Sequence, residues 1–262
     1  MCLIVFARNS HPDYPLVVVA NRDEFHGRAT SQAHWWQEHP GVLAGQDLQA
    51  GGTWMGVSKS GHWSAVTNYR EGLREENPPR SRGELPLGYL CDGQLPETYL
   101  AEVSRRGQEY AGFSMLAGDV HQLFYFSNRG GQIQAVPDGI HTLSNHVLNT
   151  PWPKAELARL KLGKVLRGVE PSVEELLAVL ADHQPFDDHE LPVTGIGIEL
   201  ERVLSPPFIV GDEYGTRSTT VLMVDRQGLC IYAERSFLPG GIPGPLALYE
   251  FQALSSGHLA RS

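Results

Sequence analysis

Cys2-Leu3-Ile4-Val5-Phe6-Ala7 is followed, after the turn-rich Asn9 to Pro15, by Leu16-Val17-Val18-Val19-Ala20-Asn21-Arg22-Asp23-Glu24. Leu3 to Ala7 and Leu16 to Ala20 are short apolar runs, rich in β-branched residues and bounded by turn formers, so both read as strands. The same grammar continues downstream. Thr53 to Ser58 and His62 to Thr67 flank Lys59-Ser60-Gly61, a short Gly-containing hairpin loop. Helical signals begin after Pro78-Pro79, at Ser81 to Leu90 and at Pro96 to Arg106, where Pro96 suits a first helical turn. Four short strand-like runs follow at Phe113 to Ala117, Gln122 to Ser127, Ile133 to Val136 and Ile140 to Leu143. Two better helices come next. Pro153 to Leu166 opens on proline, and Ser172 to Asp182 has Ser172 and Glu175 at capping-box spacing. Thr219 to Val224 and Leu229 to Ala233 close a last hairpin across Asp225 to Gly228.

Strands follow strands without crossover helices, which disfavours a doubly wound parallel sheet. The order fits an α+β chain in which hairpin-built antiparallel sheets are covered by helices, and residues 1–262 are read as one domain. The chain has 262 residues, 41% hydrophobic and 19% charged, a composition that excludes intrinsic disorder. Its longest apolar runs fall far short of the roughly 18–20 residues a bilayer-crossing helix needs. Leu3 to Ala7 has no basic segment before it and does not read as a signal peptide.

With 21 Lys plus Arg against 30 Asp plus Glu, the net charge of −9 argues against a nucleic-acid partner. Cys2, Cys91 and Cys230 are odd in number and form no CxxC pair, so neither a disulfide framework nor a zinc ribbon is expected. A reducing cytoplasm is the expected compartment. Gly195-Ile196-Gly197 lacks the third glycine of a dinucleotide loop, and no GxxxxGK[ST] occurs. His34 and His39 are five apart, and no helix carries His at i, i+4 with Glu, so no metal is expected. Trp35-Trp36 reads as packing. Arg70, Arg74, Arg80 and Arg82 are nearly neutralised by Glu71, Glu75, Glu76 and Glu84 and read as a solvated face, with Arg80 and Arg82 candidates for gripping an anion.

Cys2 is the most informative position. Methionine before so small a residue is normally cleaved, which would make Cys2 the N-terminus. A thiol of pKa about 8.5 would then share one residue with an α-amine of pKa about 7.7–8.0, a nucleophile carrying its own proton acceptor. The structural alternative is a small buried residue opening a strand.

The opening Met1-Cys2-Leu3-Ile4, the tetrad Asn21-Arg22-Asp23-Glu24, Gly51-Gly52-Thr53-Trp54, Thr67-Asn68-Tyr69, Ser81-Arg82-Gly83-Glu84, Leu143-Ser144-Asn145, Thr150-Pro151-Trp152, Tyr214-Gly215-Thr216-Arg217 and Glu234-Arg235-Ser236 occur in that order. Together they resemble the NRDE family, also called the transport and Golgi organisation two family. That family is in turn similar to the choloylglycine-hydrolase and penicillin V acylase branch of the N-terminal nucleophile hydrolases. The resemblance implies a four-layer αββα sandwich of two antiparallel sheets. It carries catalytic roles onto Cys2, Asp23, Asn68, Asn145 and Arg217, and Asn21, Arg22, Glu24 and Arg82 are expected to contact the ligand. In that branch an arginine stands three residues before the aspartate, where this chain has Ala20. Arg22, one residue before Asp23, would point to the other face of an extended strand and is expected not to replace it.

Each role has a physical reading. Ionised Asp23 can orient the Cys2 α-amine, or be an ordinary strand-end carboxylate. Asn68 and Asn145 can donate to a developing oxyanion, or serve turn chemistry. Arg217 can lower the thiol pKa or hold a carboxylate, or make a surface ion pair. Two functions remain open: an N-terminal cysteine hydrolase cleaving an acyl amide, ester or thioester, and a non-catalytic carrier of acyl-coenzyme A or haem. The expected partner is thus a small acyl or haem-like molecule; no resident cofactor is expected, and no CxxCH haem-attachment motif exists. Oligomeric state has no sequence signature here.

Overall fold

The structure is a computed structural model describing residues 2–72 and 78–253; Met1, Arg74, Glu75 and Glu76 lie outside the described residues. Its strands are β1 (Cys2–Arg8), β2 (Leu16–Phe25), β3 (Thr30–Trp35), β4 (Val42–Asp47), β5 (Met55–Ser58), β6 (Trp63–Asn68), β7 (Phe113–Gly118), β8 (Leu123–Ser127), β9 (Gln134–Ala135), β10 (Gly139–Leu143), β11 (Tyr214–Val224), β12 (Leu229–Leu238) and β13 (Ile242–Gln252). The helices are α1 (Glu84–Asp92), α2 (Pro96–Arg105), α3 (Pro153–Val165), α4 (Val173–Val179) and α5 (Ile198–Val203).

Two antiparallel sheets form, a six-stranded one in the order β10-β1-β2-β11-β12-β13 and a seven-stranded one running β3 to β9 in sequence order. Alternation along the strands decides what each face covers. Ile4, Phe6, Val18 and Ala20 of the first sheet meet Leu43, Met55, Trp63 and Leu116 of the second in a core between the sheets. Leu3, Val5, Val17 and Val19 point the other way, onto Ala158 and Leu162 of α3 and Leu176 and Val179 of α4. On the far side of the second sheet, Val42, Ala44, Met115 and Ala117 pack on Leu85 and Tyr89 of α1 and on Leu100 and Val103 of α2. The layers therefore run αββα. Because β1 and β2 are covered on both faces, their sequences are continuous apolar runs rather than alternating ones, and each fully buried Leu, Val or Phe contributes about 1.5–3 kcal/mol.

The sequence reading found the other strands but missed β3, β4, β13 and α5. Ser81 to Gly83 precedes α1 instead of opening it, and α4 ends at Val179, short of Asp182. The capping box of α4 forms as expected: Glu175 N–H donates to Ser172 Oγ at 3.2 Å, and Ser172 N–H donates to Glu175 Oε2 at 3.0 Å. Trp35 and Trp36 do pack, on opposite sides of the second sheet.

Two of the quoted motifs meet through glycine. A Cβ on Gly52 would lie 2.3 Å from the Gly83 carbonyl carbon, so the two backbones approach as only glycine permits, and Thr53 N–H donates to Gly83 O at 3.0 Å. Gly52→Ala is expected to push the Ser81 to Gly83 segment away and to cost about 2–3 kcal/mol in urea unfolding. Unchanged stability would mean that the segments separate freely.

Candidate functional site

Cys2 opens β1 directly across from Arg22 on β2, and residues opposite each other in an antiparallel pair share a face. Both border a cleft of about 240 Å³ that Glu24, Trp54, Asn68 and Arg82 also line. The expectation for Arg22 is thereby corrected. Positions 20 and 22 share one face of β2: Ala20 lies in the inter-sheet core, while Arg22, two residues on, reaches the thiol side. The buried Arg22 guanidinium stands 4.2 Å from the centre of the Trp54 ring and donates to Thr30 Oγ1 at 3.2 Å. Close under it, Glu234 is 1% exposed and accepts from Ala33 N–H at 2.8 Å and Thr220 Oγ1 at 3.1 Å. Burial pushes the Glu234 carboxyl up, and those two donors and Arg22 oppose the shift.

Burial also pushes the Cys2 thiol up, and the Asp23 charge adds to it; Arg22 and a hydrogen bond from the Asp23 backbone pull the other way. Asp23 itself, 1% exposed, also borders the cleft, while alternation along β2 turns its side chain to the face opposite Arg22. Its Oδ1 accepts from Thr216 Oγ1 at 2.7 Å, and the Tyr214 hydroxyl donates to its carbonyl at 3.2 Å. Desolvation raises its carboxyl, while the amino-terminal charge, Lys154, the Thr216 hydrogen bond and Arg70 lower it. Thr216 is aligned with Asp23, and the next pairing along is Ser218 with Arg22, so Arg217 is the extra residue of a β-bulge.

The bulge decides the fate of Arg217. Its guanidinium donates to the carbonyls of Phe25 and Arg28 at 2.8 and 3.1 Å and is not on the cleft wall. Burial and the nearby Arg22 charge lower its pKa. It clamps the turn after β2 behind Arg22 and Glu24, and does not face the thiol as expected. Asn145 lies beneath the cleft, fully buried: its Nδ2 donates to Asn68 O at 3.1 Å, and Arg70 N–H donates to Asn145 O at 2.7 Å. Asn68 is therefore the asparagine at the cleft, with Asn145 as its support. Ser144, beside it, donates to Cys2 O at 3.3 Å.

Asn21 is a further correction. It shares Asp23's face, where its Nδ2 donates to Leu180 O and Pro207 O at 3.0 and 2.9 Å and its Oδ1 accepts from Thr219 Oγ1 at 2.6 Å. Every hydrogen-bonding atom of that carboxamide is used in joining the sheet to the helix layer. Glu24 and Arg82 do reach the cleft, Arg82 donating to Gly112 O at 3.0 Å.

Sequence reasoning missed the charges below Asp23. Arg70, read as solvated, is 7% exposed and pairs with Glu201 Oε2 at 2.6 Å. Lys154, 3% exposed, donates from Nζ to Leu204 O at 3.0 Å, and burial together with the Arg70 charge lowers its pKa to about 8. Helical spacing held the signal: Lys154 lies four and eight residues before Ala158 and Leu162, both core residues of α3. Among the described residues, Asp187, His189 and Glu190 are the group whose ligand atoms gather within 4.8 Å; all three are exposed and none lines the Cys2 cleft.

A family model described as Transport and Golgi organisation 2 matches residues 1–239. The Transport and Golgi organization protein 2 homolog of Bos taurus is 36% identical over 263 residues, covering 91% of this chain and 94% of its own. The Homo sapiens homolog is 33% identical over 259 residues, with the same coverage of 91% and 94%. Among solved structures, a Caenorhabditis elegans N-acylethanolamine-hydrolyzing acid amidase ortholog superposes with a TM-score of 0.53 at 9% identity, over 84% of this chain and 92% of that one. That likeness shows the fold, a sandwich of two antiparallel sheets between helix layers. By the match along nearly its whole length, the chain belongs to the Transport and Golgi organisation 2 family.

Proposed function

We propose that this chain is an N-terminal cysteine hydrolase-like enzyme that cleaves an acyl amide, ester or thioester once Met1 is removed, the whole chain serving as one domain. The observation that carries the reading is Cys2 at the wall of a cleft with Arg22 directly opposite it. The Cys2 α-amine takes the thiol proton, and the thiolate attacks the acyl carbonyl. The C–N, C–O or C–S bond breaks, the leaving group takes the proton from the α-ammonium, and water releases the acyl group from sulfur. Asn68 donates to the oxyanion, a contribution of roughly 3–4 kcal/mol for a well-placed donor. Arg22 favours the thiolate, and Asp23 favours the ammonium form of the amine. Its place is a reducing cytoplasm, consistent with Cys2, Cys91 and Cys230 as free thiols. No helix among the described residues is long and apolar enough to cross a membrane.

Intact mass of protein from cells with active aminopeptidase should lack one methionine. Full retention of Met1 would remove the α-amine from the mechanism and with it the base.

One observation favours a second reading, that of a carrier. At the cleft wall the Arg22 guanidinium, which donates to the Thr30 hydroxyl and lies over the Trp54 indole, would attract an anionic ligand such as acyl-coenzyme A or the propionates of haem, with the buried Glu234 offsetting part of its charge. A carrier would bind such a ligand without turning it over.

A further inference from the structure

The Arg22 guanidinium gives one hydrogen bond to Thr30 Oγ1 at 3.2 Å, and its carbon lies over the Trp54 ring, 4.2 Å from the ring centre. One hydrogen bond fixes the reach of a guanidinium but leaves its plane free to swing, whereas a stacked ring fixes the plane. Trp54 is itself held. Its carbonyl accepts from Val66 N–H at 2.8 Å, and its side chain packs against the core between the sheets. The tip of the indole rests on Gly45 of β4. A Cβ built on Gly45 would collide with Trp54 Cη2 and Cζ2 and would stand 3.3 Å from Glu234 Oε2, so the indole and the buried carboxylate both close on β4 at a position that only glycine leaves open.

Gly45 and Trp54 belong to the seven-stranded side of the sandwich, and Arg22 belongs to β2 of the six-stranded sheet. The indole therefore bridges the two sheets at the cleft, whose wall contains Cys2, Arg22 and Trp54 together. Cys2 and Arg22 are direct partners across β1 and β2, where opposing Cβ atoms are about 4.5–5.5 Å apart. A guanidinium that swings off the ring by a few ångströms changes its distance to the thiol by a large fraction, and the attraction falls with distance.

We infer that Trp54, seated on Gly45, is a positioning residue of the Cys2 site: its ring holds the Arg22 guanidinium flat at the cleft wall beside the thiol. This inference deepens the nucleophile reading above and rests on it. Trp54→Leu removes the aromatic face, Trp54→Phe keeps one, and Gly45→Ala lifts the indole from its seat.

The test is an NMR spectrum of the arginine Nε–H groups in the full-length protein, the Arg22 signal being identified by its loss in Arg22→Lys. Iodoacetamide alkylation of Cys2, read by peptide mass, is followed against pH in parallel. The ring current of an indole shifts a stacked guanidinium upfield. The wild-type Arg22 signal should therefore stand upfield of free arginine, move back toward it in Trp54→Leu and Gly45→Ala, and stay near its wild-type place in Trp54→Phe. Arg22 is a side-chain cation that favours the thiolate, against burial and the Asp23 charge. The alkylation midpoint should rise by about half a unit in Trp54→Leu and Gly45→Ala, a rate about threefold lower at neutral pH, and recover in Trp54→Phe. In an Arg22→Met background Trp54→Leu should slow Cys2 no further, because an indole that acts through Arg22 has nothing left to hold. Equal slowing by Trp54→Leu with and without Arg22 overturns the inference, as does an Arg22 signal or an alkylation midpoint that Trp54→Leu leaves in place. If Trp54→Leu and Gly45→Ala do not fold, the wild-type signal decides: a position matching free arginine overturns the inference, and one well upfield of it supports it. None of these readouts needs a substrate. Absent hydrolysis with the coupling intact would count against the enzyme reading alone, and lost coupling with intact hydrolysis against the inference alone.

Discussion

Cys2→Ala should abolish hydrolysis of acyl thioesters, esters and amides, a loss of about a thousandfold or more, because removing a nucleophile removes the covalent route itself. Ligand affinity should change little, since the thiol bonds to the substrate only along the reaction coordinate. Assays of wild type and Cys2→Ala side by side, for turnover and for binding, separate the readings. A wild type that binds acyl-coenzyme A but hydrolyses no thioester, ester or amide would leave the carrier. Haem ligated by Cys2 would show instead as a thiolate absorption band lost in the variant.

Arg22→Met carries the second-largest expected effect. The cation directly across from Cys2 disappears while the Asp23 charge stays, so a thiol already raised by burial rises further. Each unit of that rise lowers the thiolate fraction at neutral pH about tenfold, and iodoacetamide alkylation should slow in proportion. Glu234 loses a favourable charge in a fully buried position and should take up a proton, visible as a carboxyl band in infrared difference spectra. Arg22→Lys should restore the reactivity only in part, because an ammonium keeps the charge but not the planar stacking on Trp54. Unchanged alkylation in Arg22→Met would place the control of the thiol elsewhere.

Much of the site was legible because residue types and order carry it. Cys2, Asp23, Asn68 and Arg82 were named from motifs, and their convergence follows from antiparallel pairing of strand ends. What escaped depends on register and on helix faces. Arg217 turns away because a bulge inserts it between two paired positions, and a one-residue insertion has no signature in composition. Asn21 was assigned to the ligand with its neighbours, although alternation along β2 sends it to the helix side. Arg70 sits among acidic neighbours that suggested solvent, yet its partner Glu201 is 131 residues away. In the fold, β13 was hidden by Pro243, Gly244 and Pro245, which read as a turn and are tolerated because β13 is the sheet's edge strand. Strands β3 and β4 lacked a long apolar run: β3 has one buried residue, Ala33, and the last two residues of β4 are half-buried.

The order in which the first sheet is assembled sets a clock during synthesis. Strand β1 and its neighbour β2 leave the ribosome well before β11, and Asp23 meets Thr216, 193 residues later, only when β11 arrives. At about 5–20 residues per second the delay is on the order of 10–40 s, and pairing so distant in sequence is itself slow to form. During that interval the N-terminal strand has no completed cleft to retreat into. An aminopeptidase removing Met1, as proposed above, would meet an uncovered strand, and Cys2 would stand without the buried charges that surround it in the finished fold. Maturation of the terminus and assembly of the site would thus be separated in time by topology alone.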